Sequence, residues 1–194
     1  MTAPRQIVAI IGTKGPFPRL VEALADWARR HPDATVWVQH GEGALPAPLA
    51  GAAVVPRHAL LARVDAADAV VCHAGSGTVR DALVRGHTPV VVPRRAHLGE
   101  HINDHQVELV DALGDRIIRL DDVATLDDAI ARAAARRGAA AAASPLGAPL
   151  IAAIRDDLRG APRPRRAGAL WAALRIATWW LPTRRHDWHE KPSR

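Results

Sequence analysis

Cysteine occurs once in 194 residues, and lysine only as Lys14 and Lys191. A single thiol excludes an intramolecular disulfide and fits a reducing compartment. No apolar run reaches the ~20 residues that a helix needs to span a bilayer. Ahead of a strand-like segment at residues 7–11 there is no leader-like stretch, so no signal peptide is expected. With so little lysine, the formal net charge of +6 is almost wholly arginine. Arg159, Arg163, Arg165, Arg166, Arg175, Arg184 and Arg185 gather it near the carboxyl end, which predicts an anionic partner surface near that end. An aromatic-lined β-surface and a recognition-helix signature are both lacking, which argues against nucleic acid as the partner.

What the chain does have is alternation. Short apolar segments at residues 7–11, 35–39, 52–55, 69–72, 89–92 and 116–120 read as strands. Helical spacing fills the intervals, from Pro16 and Pro18 to Arg30 and over residues 58–64, 79–85, 102–113 and 126–136. Strands apolar throughout and separated by helices predict a parallel sheet covered on both faces. Ligands of such sheets sit beyond the carboxyl ends of the strands. Gly12, Gln39 and the turn around Gly75 all fall at those ends. An alanine run at 139–143, a helix at 149–159 and a Gly/Pro linker at 160–164 divide the chain into a domain over 1–160 and a tail over 161–194.

The organising stretch is AVVCHAGSGTVRDALVRGHTPVVVPRRAHLGEHINDHQ, residues 69–106. A strand runs through His73-Ala74-Gly75-Ser76-Gly77-Thr78 into a helix closed by Gly86, and a second strand stops at Pro93. Such a turn aims unpaired N–H groups and the positive end of a helix dipole at one point, which suits a diphosphate. Arg80 stands where the dinucleotide fingerprint needs its third glycine, and no phosphate loop ending in Gly-Lys-Ser/Thr occurs. Ala74 replaces the glycine that a nucleophile elbow requires, so Ser76 is a poor acyl acceptor. An anion-binding turn without a nucleophile remains.

HAGSGT, then Asp81-Ala82-Leu83, Gly86 and VVPR ending at Arg94, resembles the nucleotide-sugar-binding half of family 28 glycosyltransferases. Residues 99–106 together with GTKGPFPRL near the start are similar to the small soluble subunits of split enzymes. These are the donor-binding subunits of dolichol-linked sugar assembly and the PssE-like proteins of exopolysaccharide synthesis. The resemblance covers residues 7–120. It implies a Rossmann-like α/β fold, the donor half of a GT-B glycosyltransferase, with a UDP-sugar donor, inverting transfer, and neither a cofactor nor a protein-bound metal. It also implies a second chain, PssD-like and membrane-attached, that supplies the acceptor domain, since nothing ahead of residue 7 builds one. That places the chain in the cytoplasm, peripheral at the inner membrane face. The rival reading is a non-catalytic nucleotide-sugar sensor or scaffold.

By the same resemblance Asp81 binds the ribose hydroxyls, against the plainer reading of a solvated helix carboxylate. Gln106, after His105, lies near sugar and diphosphate, and an amide both donates to and accepts from hydroxyls. Glu100 and His101 close that pocket. Arg94 either neutralises the diphosphate or is a surface arginine. Gly12 and Thr13 offer donors at a second helix start, as Gly75, Ser76, Gly77 and Thr78 do at the first. His73 either contacts the sugar or leaving diphosphate, or fixes its loop on a backbone carbonyl. His97, His101 and His105 are spaced by four with Glu100 and Asp104 between them, but no metal site is expected of them. Cys72 reads as a small core residue. In the tail, Leu170, Trp171, Leu174, Ala177 and Leu181 share one face of a helix over 168–181. That face suits a lipid headgroup boundary, a partner's groove, or the chain's own domain.

Overall fold

The computed structural model describes residues 3–102 and 104–137; the expected tail with its helix, the alanine run, the helix at 149–159 and the linker lie outside the described residues. Six parallel strands form one sheet: β1 (Gln6–Ile10), β2 (Thr35–Gln39), β3 (Ala50–Ala52), β4 (Ala69–His73), β5 (Val90–Val92) and β6 (Ile118–Arg119). Between and after them run α1 (Pro18–Arg30), α2 (Arg57–Ala66), α3 (Ser76–Val84), α4 (His105–Leu113) and α5 (Leu126–Ala135). The order β3-β2-β1-β4-β5-β6 is that of the doubly wound Rossmann sheet. Its direction of winding reverses between β1 and β4, and a crevice opens there beyond the strand ends.

Alternation along the strands explains why each is apolar on both sides. Ile7, Ala9 and Ile11 turn to one face and pack with Leu20, Leu24 and Trp27 of α1 and Leu126 and Ile130 of α5. Val8, Ile10, Val70 and Cys72 turn to the other, against Val79 and Ala82 of α3 and Val110 of α4. Each Val, Leu or Ile among them, fully buried, stabilises by about 1.5–3 kcal/mol. Register keeps the strand ends level, with Ile10 opposite both Gln39 and Cys72. Cys72 is a core residue, its thiol pushed up to about 12 by burial, so it holds no thiolate.

Three elements differ from the sequence reading by three residues at one end. β3 lies at Ala50–Ala52 rather than 52–55, and Val54 is 65% exposed. It is an edge strand with Gly51 close to β2, where a Cβ would sit 2.0 Å from the Val38 carbonyl oxygen. Apolar content is therefore a poor guide to it. α3 begins at Ser76, three residues before the expected start, so the turn residues themselves form its first turn. α4 begins only at His105. A single 3-10 turn at Ala96–Leu98 and a left-handed Gly99 (φ 69°) precede it, leaving Ile102 92% exposed.

His87 joins α3 to α2. Its buried Nε2–H donates to the Val64 carbonyl at 2.8 Å. Burial lowers its pKa, with the Arg137 charge in the same direction; the Val64 bond and Asp65 oppose. A folded pKa below the unfolded value means the unfolded chain binds the proton first. Stability should thus be fully present above about 6.5, the unperturbed histidine value, and fall as pH drops through the folded value. Urea midpoints should decline between pH 7 and 5.5, and His87→Gln, which keeps a donor, should flatten that decline. A midpoint that rises on acidification would contradict the assignment.

Candidate functional site

At the switch point the loop after β1 and the turn after β4 enclose a cleft of about 400 Å³. Its lining comprises Ile11, Gly12, Thr13, Lys14, His73, Ala74, Gly75, Ser76, Arg94, His101, Gln106 and Leu109. Gly12, Thr13, His73, Gly75, Ser76, Arg94, His101 and Gln106 thus come together from four separated segments. Gly77 and Thr78 continue the first turn of α3. The first backbone bond of that helix is Val79 N–H to the Gly75 carbonyl, 3.0 Å, and no side chain caps its start. The N–H groups of Ser76, Gly77 and Thr78 therefore have no partner within the helix and bring the positive dipole end to the cleft.

His73 forms the floor. Its Nδ1–H donates to the Ile10 carbonyl at 3.2 Å, so the loop-fixing contact is present while the ring also lines the cleft. The ring lies between two glycines. A Cβ on Gly12, whose φ is +99°, would be 3.0 Å from His73 Cε1, and one on Gly75 only 2.5 Å from Nε2. Both positions need glycine because the imidazole occupies the space a side chain would take.

Four expected binders have other partners. Arg94 lines the cleft but is not a surface arginine: it is 3% exposed, and its guanidinium is engaged by backbone carbonyls. Its Nη1 donates to the carbonyls of Pro16 (2.7 Å) and Glu100 (3.3 Å), and its Nη2 to those of Gly15 (2.9 Å) and Ile11 (3.2 Å). Burial lowers its pKa, and the Glu100 charge partly offsets that. Glu100 does not face the cleft; its carboxylate accepts Arg19 Nε at 2.7 Å, Arg19 Nη2 at 2.9 Å and the Arg95 N–H at 3.0 Å. Burial alone would raise its pKa, but the Arg19 and Arg95 hydrogen bonds and the charges of Arg19 and Arg94 hold it below the usual carboxylate value. Gln39 is 4% exposed and its Nε2 donates to the Gly12 (2.9 Å) and Ala53 (2.7 Å) carbonyls, which makes it a strap between loops. Asp81 accepts Arg57 Nη2 at 2.7 and 2.9 Å and is outside the cleft lining. The His105 side chain lies outside what the structure describes.

Gln106 is held in one sense. It is 4% exposed, and its Oε1 accepts the Arg94 N–H at 3.0 Å. With its oxygen so engaged, the amide has its Nε2–H groups left as donors, and the residue lines the cleft. The sequence reading quoted Lys14 within GTKGPFPRL but gave it no role; it is an exposed cation in the cleft lining. Its signal was the near-absence of lysine, which left this one at the loop after the first strand. Arg19, quoted within GTKGPFPRL, was given no role of its own, and Arg57 was overlooked because no local pattern marks it. Among the described residues no helix is long and apolar enough to cross a membrane, and no group of three His, Cys, Asp or Glu side chains is placed to hold a metal ion.

Solved structures similar to the chain include a glycotransferase of kitacinnamycin (25% identity, TM-score 0.44, covering 92% of this chain and 44% of that one). CalG4, the calicheamicin glycosyltransferase, is 22% identical with a TM-score of 0.41, covering 81% and 45%. The glycosyltransferase SnogD from Streptomyces nogalater is 21% identical with a TM-score of 0.40, covering 90% and 44%. The chain spans less than half the length of each. No curated protein matches it. The glycosyltransferase family 28 C-terminal domain matches over residues 52–148, half of the chain and inclusive of the glycine turn, α3 and α4. The protein belongs to the glycosyltransferase family 28 C-terminal domain family.

Proposed function

We propose that this chain binds the UDP-sugar donor of an inverting glycosyltransferase whose acceptor half is a second, membrane-attached PssD-like chain, in the synthesis of a polysaccharide or lipid-linked glycan. The observation that carries the reading is the uncapped start of α3 opening onto the switch-point cleft beside Lys14. Backbone N–H groups, a helix dipole and one ammonium form a diphosphate site that requires no metal. In the reaction an acceptor hydroxyl attacks the anomeric carbon as the bond to the diphosphate oxygen breaks. Charge accumulating on that oxygen is stabilised by the amides of residues 76–78 and by Lys14, while the hydroxyl proton passes to a base on the acceptor side. Gln106 donates to a sugar or phosphate oxygen, His73 floors the site, and Asp81 holds the ribose once Arg57 shares or yields the carboxylate.

The reading of a second chain is supported by the single doubly wound domain, whose cleft at the carboxyl edge meets no facing domain among the described residues. The arginine- and tryptophan-rich tail over 161–194 is assigned, on its sequence, to the contact with that chain or with lipid headgroups. The membrane-attached partner would hold the complex at the cytoplasmic face.

Calorimetric titration with UDP, UDP-glucose, UDP-galactose, UDP-N-acetylglucosamine and UDP-glucuronate tests the donor class. Gly77→Leu sharpens it, because a Cβ at Gly77 meets no atom within 4 Å, so a side chain can start there at the helix N-terminus without a clash at its first carbon. We expect unchanged thermal stability and about a tenfold or greater loss of UDP affinity. UDP binding equal to wild type would remove the diphosphate from this turn. Sugar transfer is then assayed with the chain alone and with its membrane subunit, and full activity from the chain alone would overturn the two-chain arrangement.

A further inference from the structure

We infer that Arg19, which does not line the cleft, is a positioning residue of the donor site: with Glu100 it clamps the loop that delivers His101 and Gln106 to the diphosphate. This rests on the donor-binding reading above. Residues 95–102 and Asp104 belong to a loop stitched to itself at its base. Arg95 N–H donates to the Glu100 carboxylate (3.0 Å), Glu100 N–H to the Arg95 carbonyl (3.2 Å), and Ala96 N–H to Asp104 Oδ1 (2.9 Å). It leads directly into α4, where Gln106 sits.

Arg19 ties this loop to the body of the domain. Its Nε and Nη2 grip the two carboxylate oxygens of Glu100 at 2.7 and 2.9 Å, and Nη2 also donates to the Pro93 carbonyl at 3.1 Å. Arg94 adds one bond, from Nη1 to the Glu100 carbonyl. The Glu100 side chain is 8% exposed and that of Arg19 21%, so the fork is poorly screened and its geometry is fixed.

The position of Arg19 is a second, independent observation. It is the second residue of α1, where a positive charge opposes the helix dipole, and the first turn has no acidic residue. A charge of the wrong sign at a helix start is a local conflict retained for a gain elsewhere. Here the gain is a bidentate contact to a segment 81 residues away.

Loosening the clamp leaves the amides of α3 intact but lets Gln106 and His101 drift. It should weaken ligands that carry a β-phosphate more than those that do not. The test compares UDP with UMP by calorimetry for wild type, Arg19→Ala, Arg19→Lys, Glu100→Gln and the Arg19→Ala/Glu100→Gln double variant. Hydrogen exchange of residues 95–104 is measured alongside in the ligand-free protein. In Arg19→Ala we expect the preference for UDP over UMP to fall about tenfold, and the loop amides to exchange faster while β1 and β4 do not change. Arg19→Lys, folded but with only a single contact to Glu100, should lie between, and the double variant should be no worse than either single one. If UDP binds wild type and the preference persists in Arg19→Ala, the clamp is structural only and this inference falls while the donor reading stands. If wild type does not bind UDP, both fall.

Discussion

Arg94→Met should unfold about 10 °C below wild type, a loss of about 3–5 kcal/mol, in the absence of any ligand. Methionine keeps the length of the side chain and its packing on Phe17, over whose ring the guanidinium carbon lies 4.6 Å from the centroid. It removes the donors to the carbonyls of Ile11, Gly15, Pro16 and Glu100. A buried carbonyl left without a partner costs about 1–3 kcal/mol. Some of that will be recovered by water entering from the cleft, so the sum of four such terms is an upper bound. Arg94→Lys should fall between, since one ammonium cannot reach four oxygens set around a planar fork. Circular-dichroism melts and urea titrations of the three proteins check the order. A surface arginine, or one kept only for the diphosphate, would change apo stability by less than about 0.5 kcal/mol. A small loss would therefore favour the diphosphate as the main partner of Arg94 over the four carbonyls.

The contrast between Arg94 and the glycine turn shows what a sequence can disclose. β1, β2 and β4 were legible because they are central strands buried on both faces, and burial writes itself as an apolar run. β3 was misplaced because an edge strand has no such requirement, and its Gly51 answers to the close approach of β2. The helix that carries Gln106 was begun too early, at Ile102, which is 92% exposed beyond a left-handed Gly99 and anchors nothing.

In the site, turn chemistry is local, so His73, Gly75 and Ser76 could be read from neighbours within the same few residues. Choice of partner is not local. Arg94 meets a carbonyl 83 residues away and Arg19 a carboxylate 81 residues away. Nothing in the spacing of Glu100 distinguishes a carboxylate facing sugar from one gripped by an arginine on another helix. Asp81 is the intermediate case: motif position offered it to a ribose, while the fold adds Arg57 from the start of α2.

Gly75→Ala should weaken UDP binding about a hundredfold, and its stability loss of about 1–3 kcal/mol should be curable by a second substitution. Gly75 has φ −79° and ψ 119°, an extended conformation open to any L-residue, so backbone strain contributes nothing. The cost is contact alone. The new methyl would stand 2.5 Å from His73 Nε2 and 2.7 Å from Cε1, well inside contact distance. The ring has little room to retreat, because Gly12 closes its other side and Nδ1 is bonded to Ile10. Either the imidazole leaves its rotamer or the Gly75–Ser76 peptide rotates, and each displaces a group that faces the diphosphate. His73→Ala in the same chain removes the clash. The double variant should then recover the stability lost to Gly75→Ala, apart from the cavity left by the ring, but not the UDP affinity. Melts and UDP titrations on the four proteins of this cycle separate packing from binding. Wild-type affinity in Gly75→Ala would mean that the diphosphate does not sit on this turn, and full recovery of affinity in the double variant would mean that His73 takes no part in holding it.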